Sequence, residues 1–190
     1  MNRYLWKPYL KLLLQYPLTT KSVSTSVLMG PVGDSLAQIL EYKYSKKRDG
    51  EEDGKREFKY NYNRMLTMSA VGLCFSGPVL HYWYQSLDKI VTGQGKIIYL
   101  KKMLVDQLVF APCVISTFML IMNVLNGRTL TDAKKQIKNE LLYPALAYNW
   151  CLWPAAQYIS FAIVPLNFRV LYVSVVSVFW NIFLSNLGNK

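Results

Sequence analysis

The chain has 190 residues, is 52% hydrophobic, and carries 22 Lys and Arg against 11 Asp and Glu. Mean hydropathy is +0.13 despite that charge, because the charges collect in the N-terminal segment and in three hydrophilic breaks between apolar blocks. That alternation belongs to multi-span membrane proteins, and it leaves no soluble face on which a net charge of +11 could gather to bind nucleic acid. The basic excess instead suits anionic lipid headgroups.

Residues Tyr4 to Tyr16 place Lys7 and Lys11 among Leu, Trp and Tyr at helical spacing, and Pro17 ends the run. This predicts a short helix lying in the membrane interface, with residues 1–17 an interfacial segment and 18–190 one transmembrane helical domain. The first span runs from Thr19 to Leu40. Ser22, Ser26, Gly30, Asp34 and Gln38 recur every four residues along it, forming one inclined ridge. Small residues on such a ridge admit a second helix closely, and Asp34 and Gln38 need protein or water as a neighbour. Residues 41–63, with Lys-Lys-Arg at 46–48 and Glu51, Glu52 and Asp53, lack apolar periodicity and read as a mobile charged loop.

The second span, Arg64 to Leu87, carries a small-residue face of Ser69, Gly72 and Ser76, then Gly77-Pro78 and the only histidine, His81. His81 reads as a hydrogen-bonding residue near the end of the span. The third span runs from about Lys102 to Leu125; Lys102 and Asp106 stand one turn apart and so can pair. An amphipathic helix opens at Thr131-Asp132 and runs through Lys138. After it, apolar character extends for about 20 residues on each side of Pro165, the length of a bilayer-crossing helix. Ser174, Ser177, Asn181 and Ser185 share one face of the final span. Pro31, Pro78, Pro112 and Pro154 each fall inside an apolar block, which predicts kinks. The fold expected is an all-α integral membrane bundle of four to five proline-kinked transmembrane helices.

Several strings of uncommon residues carry a resemblance. Trp150, Trp153-Pro154, Gln157, Phe161, Val164-Pro165, Arg169 and Trp180 through Leu184-Ser185 form a C-terminal signature. Tyr16-Pro17 to Lys21, Gly33-Asp34, Gln38, the Gly77-Pro78 to Tyr84 string, Asp106-Gln107 and Pro112 extend it over most of the chain. The pattern resembles the peroxisomal membrane proteins of the twenty-two-kilodalton type, a family shared with mitochondrial inner-membrane relatives. Ser160 and Phe183 depart from it, standing where the family has asparagine and tyrosine. The tail is more similar to the peroxisomal member. The resemblance implies pore-forming activity that passes small solutes across the peroxisomal membrane, a homo-oligomer, and handling by a peroxisomal membrane-protein import receptor. The alternatives are a mitochondrial inner-membrane channel or homeostasis factor linked to mitochondrial DNA maintenance, and a non-conducting scaffold.

Cys74, Cys113 and Cys151 lie in apolar stretches at no metal-binding spacing; they read as small hydrophobes in helix packing, without a disulfide framework. No phosphate-binding loop, dinucleotide fingerprint or nucleophile elbow is present, so neither an enzyme nor a cofactor is expected. The intramembrane polar residues are Asp34, Gln38, His81, Asp106, Gln157 and Arg169. They have two readings. They line an aqueous path whose charges set weak selectivity, or they tie helices together, with Arg169 paired to Asp34 or Asp106.

Overall fold

The computed structural model describes residues 3–48, 57–93, 95–140 and 145–188, and every element among them is helical. Helix α1 is Arg3–Gln15. Helix α2 covers 17–48, α3 covers 62–90, and α4 is Lys96–Leu125. Helices α5, α6 and α7 are Leu130–Glu140, Ala147–Ile163 and Leu166–Gly188. Pro17 breaks α1 from α2 and becomes the first residue of α2, where its missing N–H costs nothing. Val164 is extended (φ −85°, ψ 121°), as a residue before proline must be, and this ends α6 at Pro165.

Three of the prolines do more than bend their helices. Helices α2, α3 and α4 each contain a π-helical stretch, at Leu28–Asp34, Gly72–Ser76 and Asp106–Phe110. Pro31 lies inside the first, and Pro78 and Pro112 lie two residues after the second and third. A proline ring clashes with the carbonyl four residues back and gives it no donor. A wider turn, bonded i to i+5, relieves both problems. Pro154 sits within α6 without such a stretch.

The π turn also explains how the ridge on α2 stays straight. Four-residue steps on a 3.6-residue helix advance about 40° each, so five positions would wind about 160° around the axis. The extra residue taken up at Leu28–Asp34 reverses part of that drift. Ser22, Gly30, Asp34 and Gln38 are all buried, and Ser26 is half-buried.

The chain packs as two compact units, residues 1–85 with 166–190, and residues 86–165. In the first unit α2 packs on α3 through small residues. A Cβ on Gly77 would lie 2.5 Å from Ser22 Cα, and one on Gly72 would lie 2.8 Å from Ser26 Cα. Gly30 faces Ser69 in the same seam. The small face read on α3 is therefore right at Ser69 and Gly72, with Gly77 taking the place given to Ser76. Helix α7 joins through its polar face: Ser174 Oγ is 3.0 Å from Thr25 Oγ1, and Asn181 lies beside Gly33.

In the second unit α4 packs on α5 and α6. Asn123 Nδ2 donates to Gln136 Oε1 at 2.6 Å across the α4–α5 contact. The start of α5 is closed by a reciprocal cap. Thr129 donates to Asp132 Oδ2 from its amide (3.0 Å) and its hydroxyl (2.7 Å), and Asp132 N–H returns a bond to Thr129 Oγ1 at 3.2 Å. The hydroxyl bond first, then the amide bond, holds the Asp132 carboxyl below its ordinary range. A depressed pKa means that this cap is complete above the unfolded carboxylate value and is lost as pH falls through the folded one. Asp132→Asn is accordingly expected to speed amide exchange in the first turn of α5 at neutral pH; unchanged protection there would refute the cap.

Two expectations are corrected at this level. Residues 41–63 are not loop throughout, because α2 continues through Arg48 and α3 begins at Tyr62. Lys and Arg are good helix formers and extend a helix already nucleated in its apolar part. The side chains of 46–48, and residues Glu51, Glu52 and Asp53 altogether, lie outside the described residues, as does the Ser185 side chain. Cys74, Cys113 and Cys151 are free and exposed, so they do not fill helix contacts as expected. An apolar surface surrounds them, where a small hydrophobe is equally at home.

Candidate functional site

Burial does not follow the pattern of a water-soluble protein, whose interior is mostly apolar. Among the described residues, 14 buried side chains are apolar and 14 are polar or charged. Large apolar side chains such as Leu66, Leu108, Ile159, Ile163 and Phe179 are exposed. Helix α4 is long and apolar enough to cross a membrane, with a mean hydropathy of 2.2 in its best stretch and only 11% of that stretch buried.

The strongest polar cluster joins α2 to α3. Asp34 is 2% exposed. Its Oδ2 accepts from Gln38 Nε2 at 2.7 Å, and its Oδ1 lies 2.7 Å from Arg64 Nε. Arg64 then forks onto Glu41, Nη1 to Oε2 at 2.7 Å and Nη2 to Oε1 at 2.9 Å. One guanidinium thus bridges two carboxylates that stand seven residues apart on α2, a geometry that an ammonium group cannot match. Gln38 fixes the other side. It donates to Asn61 O at 3.1 Å and accepts from Asn61 N at 2.7 Å. Asn61 in turn caps α3 by accepting from Arg64 N at 3.0 Å. The hydroxyls of Ser35 and Tyr60 meet at 2.5 Å beside this knot.

Asp34 and Gln38 are therefore brought together as the ridge predicted. The cation on Asp34 is Arg64, which the sequence reading passed over as the first residue of a span, and it takes the place there that was offered to Arg169. Its signal was present: in sequence Arg64 is a basic residue at a helix start, and only the turn at Asn61 shows that α3 folds back along α2. Arg169 is buried on α7.

His81 is 7% exposed on α3, and its Nε2 is 2.7 Å from Gln85 Nε2, one turn on. In the second unit Asp106 is 1% exposed and its Oδ2 accepts from Gln107 Nε2 at 2.8 Å. Gln107 Oε1 accepts from Asn149 Nδ2 at 2.9 Å, which carries the chain of polar contacts from α4 to α6. Asn149 was not singled out from sequence, because one amide in a tryptophan-rich run looks like part of an interfacial belt. Gln157 is buried further along α6. Lys102 does not pair with Asp106: its Nζ is 2.6 Å from Asp88 Oδ1 instead. A Lys preceding an Asp by four residues is the weaker orientation for a helical pair, and Asp88 offers a partner nearer the polar break.

Of the signature residues, Trp150 is exposed and its Nε1 donates to Gln107 O at 3.4 Å, while Pro165 is exposed at the α6–α7 turn. Trp153, Pro154 and Trp180 are half-buried. No group of three His, Cys, Asp or Glu side chains among the described residues is placed to hold a metal ion.

The family model of the Mpv17 / PMP22 family matches residues 123–185. Over 98% of the chain and 92% of the relative, the sequence is 50% identical to PXMP2/4 family protein 2 of Dictyostelium discoideum. The chain belongs to the Mpv17 / PMP22 family. It is also 38% identical to mitochondrial inner membrane protein Mpv17 of Rattus norvegicus, across 95% of the chain and 96% of the relative. Identity to peroxisomal membrane protein 2 of Bos taurus is 33%, across 95% of the chain and 87% of the relative. No solved structure matches. The relatives with these names are membrane proteins of two organelles, and this chain is an all-α membrane protein of the same family. The polar groups described above are thus the buried polar groups of a membrane protein.

Proposed function

We propose that this chain is a multi-pass protein of the peroxisomal membrane that forms a pore for small solutes, without catalysis. The observation supporting the reading is the polar share of the interior: among the described residues 14 buried side chains are polar or charged, as many as are apolar, while many large apolar side chains are exposed. A protein that only had to sit in lipid would fill its interior with apolar side chains, since each buried charge carries a desolvation cost. Helices α2, α3, α4, α6 and α7 supply four to five crossings in this reading, and lipid and small solutes are the partners. A homo-oligomer would enclose a wider path, and a membrane-protein import receptor would deliver the chain.

A second reading is a non-conducting scaffold, in peroxisomes or in the mitochondrial inner membrane. The Asp34–Arg64–Glu41 knot favours it, because those charges are consumed in holding α2 to α3. Proteoliposomes loaded with a size series of sugars and polyethylene glycols separate the two. The pore reading expects release with a sharp size limit; retention of every solute by correctly inserted protein would support the scaffold.

A further inference from the structure

We infer that Lys21, Ser22 and His81 form a binding site for a phosphate group, distinct from the residues assigned above to the α2–α3 knot. Lys21 is 3% exposed, Ser22 5% and His81 7%. They come from two helices in contact: Gly77 packs directly on Ser22, His81 stands one turn beyond Gly77 on the same face of α3, and Lys21 precedes Ser22. The α2–α3 seam is antiparallel, with Ser26 against Gly72 and Ser22 against Gly77, so His81 continues along α3 towards the Lys21 end of α2.

Two of these side chains are left unpartnered, and the third has no counter-charge among the described residues. Ser22 Oγ and His81 Nδ1 are buried without a hydrogen bond. The His81 Nε2 accepts from the Gln85 amide, so the ring proton resides on Nδ1, which is then an unused donor. The Lys21 ammonium has no carboxylate among the described residues: Asp34 and Glu41 are both held by Arg64. Buried polar atoms in native proteins are almost always bonded, and a buried ammonium without a counter-charge is costlier still. Two unpartnered donor-capable groups beside a cation with no carboxylate among the described residues call for an oxyanion.

A phosphate group has two sources here, a free phosphate compound and a phospholipid headgroup. The position allows both, because Lys21 lies in the second turn of α2, just after the interfacial α1. The full chain in neutral detergent is titrated with inorganic phosphate at constant ionic strength, with chloride as the reference, and thermal unfolding is followed. In parallel the chain in nanodiscs containing phosphatidic acid is released into the gas phase, and retained lipid is counted. Saturable stabilisation by phosphate, weakened about tenfold or more by Lys21→Met and by Ser22→Ala but not by Lys102→Met, supports the site with a free ligand. Retained phosphatidic acid that Lys21→Met removes, with no response to phosphate, supports the site with a lipid headgroup. Lys21→Arg keeps the response in either case and shows that the loss is one of charge and not of folding. Absence of both signals, or signals that persist in Lys21→Met and Ser22→Ala alike, overturns the proposal. Neither readout depends on conductance, so the site stands or falls separately from the pore.

Discussion

Arg64→Met is expected to cost about 3 kcal/mol of stability, and Asp34→Asn is expected to cost much less. The asymmetry follows from burial. Asp34 is 2% exposed, so removing Arg64 leaves a carboxylate inside the protein without its cation. Breaking a buried pair from one side costs about 3–5 kcal/mol, and the lower end applies because a third of Arg64 is open. The Glu41 arm adds little, since both partners there are 36% exposed. Asp34→Asn leaves Arg64 bonded to Glu41 and keeps an oxygen for Gln38. The double variant Asp34→Asn/Arg64→Met should therefore be more stable than Arg64→Met alone. Thermal unfolding in detergent, read by tryptophan fluorescence, tests this. Equal and additive losses would show that Arg64 and Asp34 do not act as a pair.

Gly77→Ala should be nearly as damaging, by about 2–3 kcal/mol. The added methyl would meet Ser22 Cα at 2.5 Å, and main chain cannot rotate away. Helices α2 and α3 must then separate, and the contacts along Gly30, Ser69, Gly72 and Ser26 separate with them. Gly30→Ala offers an internal comparison. Its nearest obstacle at 1.9 Å is the Ser69 hydroxyl, so Ser69→Ala should recover part of the loss. No side-chain truncation should rescue Gly77→Ala. Gly127→Ala controls for backbone strain: the site is open but φ is +73°, where any other residue costs about 1–2 kcal/mol. A Gly77→Ala loss no larger than that of Gly127→Ala would show that the α2–α3 seam is looser than described.

These two results rest on features that the sequence showed unequally. The small-residue ridge on α2 was legible because four-residue spacing of Ser22, Ser26, Gly30, Asp34 and Gln38 is rare by chance and has one physical use. The polar face of α7, the amphipathic α5 and the break at Pro17 were legible for similar local reasons. The partner of Asp34 was not, because it depends on where α3 turns back, and that turn is set by Gln38 gripping the Asn61 main chain from 23 residues away. The π turns were also hidden. Proline announces a disturbance, but whether the helix kinks or widens depends on the neighbour packed against it. The three cysteines show a limit of another kind: apolar periodicity places a residue on a helix, yet in a membrane protein both faces are apolar, so exposure cannot be read from hydrophobicity.

The central claim is the proposed one, that buried polar side chains serve a path for hydrophilic solutes. Single-channel recording of the purified chain in planar bilayers tests it most directly, with Asp106→Asn and Arg169→Gln beside the unmodified protein. The account predicts discrete conductance steps, and a reversal potential under a salt gradient that moves in opposite directions in the two variants. A silent bilayer, from protein shown to be folded and inserted, would contradict it.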